Sequence, residues 1–171
     1  SSDAQDTLTS GTGGWTLKIE GLDANHLDIT ETINLNGLSA VTTTQEFLRV
    51  NRCYLVTAGT NRTNVGNITI SISSNTQAYI EASEGQTQQT QYTVPANKSL
   101  IVTGFSLGIG RMTTNSDAHI QSEINLDYSN DGAWRAISDI WLYNGQIYRN
   151  DNSVTLIPQK TEIKQLISST S

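Results

Sequence analysis

The chain has 171 residues, 36% of them hydrophobic, with 10 basic and 16 acidic side chains and a formal net charge of −6. That length suits one domain burying roughly 70% of its unfolded surface, so the core needs no disulfide or metal staple. The basic residues are scattered singly, with no stripe to neutralise phosphates, and no apolar run approaches the ~20 residues of a membrane-spanning helix. Neither nucleic acid nor a membrane is therefore expected as a partner.

Much of the remainder is uncharged and polar, with 23 Thr, 18 Ser and 15 Asn. Thr suits a pleated surface through its branched Cβ, whereas Asn and Ser suit turns. The expectation is an all-β chain, an antiparallel β-sandwich or jelly roll. Residues 1–14 (SSDAQDTLTSGTGG) lack signal-peptide character and are polar and Gly-rich. They read as a flexible arm able to reach a neighbour, ahead of a single β-sandwich domain over 15–171.

Within 15–35, Trp15, Leu17 and Ile19 alternate with Thr16, Lys18 and Glu20, the period of a half-buried strand. After GLDAN the alternation resumes with Leu27, Ile29, Ile33 and Leu35, broken only by Glu31. Gly21, Asp23 and Asn25 provide the turn chemistry, so the stretch predicts a β-hairpin with Ile29 and Ile33 in the core. Asn36-Gly37 is a type I′ signal. Residues 38–46 (LSAVTTTQE) read as a loop or a Thr-rich edge strand. Residues 47–58 are apolar on both faces from Cys53 onward, the pattern of a central strand covered on both sides. Cys53 itself reads as a buried structural thiol.

A Gly- and Asn-rich loop over 58–66 precedes the alternation Ile68, Ile70, Ile72. A short strand follows at 78–82, then a polar tract at 84–91 that reads as an exposed hairpin tip. Tyr92-Thr93-Val94-Pro95 closes a strand, because proline cannot donate to a ladder. A further strand is expected over 100–107, where Gly104, Gly108 and Gly110 suggest a bulge. Ile120, Ile124, Leu126 and Tyr128 mark an amphipathic strand. Asn130-Asp131-Gly132, Asn144-Gly145 and Asp151-Asn152 separate the last strands, and 161–167 reads as a strand or a short helix. The total is about 10–12 strands with turns every 8–12 residues, as in a sandwich or barrel.

Little in this pattern names a reaction. The only histidines, His26 and His119, lie outside any nucleophile-elbow or papain-like context, so no catalysis is expected. Asp127, Asp131 and Asp151, with Asn130, Asn150 and Asn152, offer hard oxygen ligands of the kind Ca²⁺ takes. They are also the default turn residues and show no EF-hand or nonapeptide spacing, so neither a metal nor any other cofactor is expected. Trp134, Trp141, Tyr143 and Tyr148 form the one candidate interaction site, an aromatic platform on which a glycan could stack.

Several short segments carry a resemblance. They are Gly21-Leu22-Asp23-Ala24, Glu31-Thr32, Leu35-Asn36-Gly37, Thr42-Thr43-Thr44, Phe47-Leu48-Arg49-Val50-Asn51-Arg52 and Gly66-Asn67-Ile68-Thr69-Ile70. Tyr92-Thr93-Val94-Pro95-Ala96 and Ile157-Pro158-Gln159-Lys160-Thr161-Glu162-Ile163 continue the series in the same order. Together they resemble virion structural proteins of tailed bacteriophages, especially marine ones. The resemblance implies a β-sandwich capsid-decorating (cement) protein on the outer capsid surface of the virion. Its implied partners are the major capsid protein and copies of itself, as a homotrimer. It implies no catalytic residue. The alternative from another class is a carbohydrate-binding or receptor-binding tail or fibre module using the four aromatics.

Overall fold

The structure is a computed structural model that describes residues 1–108, 117–125, 133–143, 147–150 and 155–170. Within them the chain is all-β, with thirteen strands in antiparallel sheets. The turns expected at Asn130-Asp131-Gly132, Asn144-Gly145 and Asp151-Asn152, like Asp127, Leu126, Tyr128 and Gly110, lie outside the described residues. Two compact units emerge from the contacts, Ser1–Gln89 and Thr90–Ser171.

In the first unit, β1 (Gly14–Leu22) and β2 (Asp28–Asn34) form the expected hairpin. Its loop is closed by Asp23, whose Oδ1 accepts the N–H groups of Asn25 and Leu27, both at 2.8 Å. β3 (Arg49–Ala58) pairs with the other edge of β1, giving the order β2-β1-β3. Gly21 permits this close pairing, because a Cβ there would lie 2.1 Å from the Arg49 carbonyl oxygen. β4 (Ile68–Ile72) and β5 (Asn75–Ile80) make a second hairpin. Its turn places Ser73 and Ser74 at φ of 48° and 69°, the two positive values that a type I′ turn requires. One core joins the two layers. Leu17, Ile19, Leu35, Val50 and Cys53 come from the sheet side, and Ile68, Ala78 and Ile80 from the hairpin.

Several expectations are corrected here. Ile29 and Ile33 are only half-buried, because β2 is an edge strand of the sheet. β3 flanks the sheet rather than filling its centre, and Val56 is 52% exposed. Its second face meets Lys18 and Glu20 of β1, so Tyr54 lies under the Lys18 and Arg52 cations rather than in a core. The 84–91 tract is not a hairpin tip. It runs beside β3, with Leu55 N–H donating to Gly85 O and Thr87 N–H to Cys53 O. Asn36-Gly37 makes a turn with positive φ at Gly37 only, closed by Ser39 N–H on Asn36 O, so it is not type I′. Residues 38–46 are a loop.

The arm expected at 1–14 is built into the unit instead. Asp6, fully buried, accepts Gly14 N–H at 2.7 Å and Val65 and Gly66 N–H at 2.9 Å. Ser1 Oγ donates to the same carboxylate at 2.6 Å. Burial pushes the Asp6 carboxyl up, but the Ser1, Val65, Gly14 and Gly66 hydrogen bonds outweigh it and leave the group below its ordinary value.

In the second unit, β9 (Asp117–Asn125) lies between β10 (Arg135–Tyr143) and β13 (Glu162–Thr170), and β6 (Gln91–Thr93) follows β13. The 161–167 segment is thus a strand, not a helix. The strand expected over 100–107 splits at Thr103-Gly104 into β7 (Leu100–Val102) and β8 (Phe105–Gly108). Each half takes a different partner, β12 (Thr155–Ile157) and β11 (Ile147–Asn150) respectively.

Two substitutions test this account by urea unfolding. Leu17→Ala should cost about 2–5 kcal/mol, as deletions of buried leucine do, and Thr16→Ala much less. Asp6→Ala strands three backbone N–H groups and should cost about 3 kcal/mol or more, at 1–3 kcal/mol for each buried donor left unpaired. Comparable, small effects at Leu17 and Thr16 would refute the register, and a neutral Asp6→Ala would refute the anchoring of residues 1–14.

Candidate functional site

The sequence singled out four aromatics, and the structure separates them. Trp134 and Trp141 belong to the β10-β9-β13-β6 sheet, Trp134 just ahead of β10 and Trp141 within it. Tyr143 ends β10 opposite Asp117, whereas Tyr148 pairs with Leu107 in the separate β11–β8 ribbon.

Side chains alternate across a strand, so His119, Gln121 and Glu123 share one face of β9. Opposite them stand Trp141 and Asp139 of β10, and Ser168, Leu166 and Lys164 of β13. The other face carries Ile120 and Ile124, with Ser122 between them. Trp141 is 51% exposed and stacks on His119, with ring centroids 4.3 Å apart and planes 17° from parallel. His119 is in turn hydrogen-bonded through Nε2 to the Asp139 carboxylate. At the other end of the face, Lys164 Nζ lies 4.0 Å from the centre of the Trp134 ring and 3.1 Å from Glu123 Oε2. One indole is thus largely open beside a hydrogen-bonded His–Asp pair, and the other lies under a cation. Sequence reading weighed His119 only as a catalytic histidine and set it aside, and it missed Asp139, Glu123 and Lys164. Only strand register brings them to the tryptophans.

A second feature lies in the first unit. A groove of about 770 Å³ opens between the sheet and the β4–β5 hairpin, lined by Ile33, Leu35, Phe47, all of β4 and the 38–46 loop. The loop is held by Glu31, the residue that broke the apolar alternation. Its carboxylate accepts Thr44 N–H at 2.9 Å and Gln45 N–H at 2.8 Å. Those two donors hold the Glu31 carboxyl below its ordinary value of 4.5. Cys53, near the base of the core, is pushed up to about 12 by burial and is no nucleophile at neutral pH.

No protein-family model, no curated protein and no solved structure matches the chain.

The Glu31 contact has a definite pH sense. A carboxylate whose pKa is lowered by folding stabilises the folded form above its unfolded value, and that contribution fades as pH falls through the folded value. Proteolysis within 38–46 should therefore be slow at neutral pH and quicken below about pH 4.5. Glu31→Gln should make cleavage fast at both pH values. A loop equally resistant in both proteins would disprove the pinning.

Proposed function

We propose that the chain is a structural virion protein, a decoration (cement) protein on the outer surface of a tailed-phage head, in contact with the major capsid protein and with its own copies. One observation carries the reading. Six of the eight segments bearing the phage-protein resemblance lie in the first unit, and several of them are framework segments there. Gly21 admits the Arg49 carbonyl, Asp23 closes the first hairpin, Phe47 to Arg52 lead into and begin β3, and Gly66 donates to the buried Asp6. Such residues fit a resemblance of architecture rather than of chemistry. The perturbed carboxylates point the same way, since Asp6 and Glu31 are both engaged in bonding backbone amides. Mass spectrometry and electron microscopy of purified particles test the proposal. The expected result is the chain on the head exterior in fixed proportion to the major capsid protein. Its absence from particles, or a place at the tail tip, would overturn the reading.

A second reading, a glycan-binding module, draws on the open Trp141 ring beside Asp139 and Gln121. The apolar C–H face of a sugar ring packs on an indole, and neighbouring polar groups can bond its hydroxyls. Under this reading a glycan array yields a neutral saccharide whose binding Trp141→Ala weakens at least about tenfold, equivalent to ~1.4 kcal/mol. No hit on the array would remove it.

A further inference from the structure

We infer that the first unit pairs with a second copy of the chain through the free edge of β4, whose strand completes the groove. In the two-layer core, three strands on one side face only two on the other. β5 lies against β3, while the remaining edge of the hairpin, along β4, borders the groove with no strand beside it among the described residues. An open edge presents unpaired N–H and C=O groups, and an extended chain satisfies them best. The occupant expected from this geometry is therefore a strand.

The composition of the edges singles out a second copy. The flanking edge strand β2 carries Asp28 and Glu31, charges that guard against pairing of like with like. β4 reads Ile68-Thr69-Ile70-Ser71-Ile72 and carries no charge at all. Its three isoleucines share one face, in or beside the core, while Thr69 and Ser71 are exposed. The strand is thus complementary to itself. In an antiparallel pair centred on Ile70, each copy places its isoleucines over the groove of the other and its Thr69 opposite the other's Ser71. The mouth of the groove supports this, because Leu38 is 69% exposed and Val41 42%, apolar surface that an arriving strand would cover. A contact in which the same patch meets itself is two-fold and closes on itself, so it yields dimers without open-ended fibres. A three-fold assembly would leave one β4 edge unpaired. The two-fold contact does not depend on a virion role and stands or falls separately from it.

The test uses the full chain and two charge variants at the exposed positions, where the isoleucine face is untouched. Sedimentation velocity at tens of micromolar should show the wild type as a dimer. T69K/S71K and T69E/S71E each oppose like charges across the two-fold and should weaken self-association about tenfold or more. An equimolar mixture of the two variants should restore the dimer, which also shows that both are folded. A monomeric or trimeric wild type, variants that dimerise as well as the wild type, or a mixture that stays monomeric would each overturn the inference.

Discussion

The architecture of the first unit depends on one buried carboxylate. Asp6 gathers N–H groups from Gly14, where β1 begins, and from Val65 and Gly66, just ahead of β4. The two layers of the core are therefore launched from a common point. Placing a carboxylate where no water reaches it is unfavourable unless its oxygens are bonded, and here four donors do so. The stabilisation is mutual, since the same amides would otherwise be orphaned at the ends of strands. Ser1 extends the arrangement to the chain's first described residue, and Ser1 also lines the groove beside β4. The shape of that groove is thus set partly by hydrogen bonds at the N-terminal end of the unit.

Glu31 solves a related problem at the opposite margin. It stands opposite Ile19 on β2, on the face that elsewhere meets the core. At the edge of a sheet that position can reach past the apolar residues to the backbone of a crossing loop. The 38–46 loop has no strand partner, so the two amides it gives to Glu31 help to tether it. An apolar residue there would extend the core by one side chain but leave those amides to water.

These two devices mark where sequence reading succeeds and fails. β1, β2 and β4 were legible because one buried face imposes period two, and Leu17, Ile19 and Ile68 obey it. β3 misled because Tyr54 and Val56 look like a second core face. Only the register, which sets Tyr54 opposite Lys18, reveals that face as solvated. Residues 1–14 carry no periodicity, since their order comes from a side chain bonding amides 59 and 60 residues away. The Ser73-Ser74 turn lacks the Asn or Gly that would have announced it. In the second unit the sequence singled out the tryptophans, but Trp141 acquires its stacking partner only through the 22-residue separation that β9–β10 pairing closes.

What unites these misses is the use of polar groups. With only 15% of residues charged, the chain cannot guard every strand edge with lysine or glutamate. It uses carboxylates as staples for backbone amides, as at Asp6, Asp23 and Glu31. A carboxylate bound to local amides orders a loop or a strand end but leaves a neighbouring edge open. β4 stands next to such a staple, ordered at its start by the Asp6 cluster and unguarded along its length. Order at one end and an open ladder along one side are what strand addition requires, because little chain entropy is then left to lose on pairing. The same economy of charge that makes the fold hard to read from its sequence leaves β4 uncharged along the edge of its hairpin.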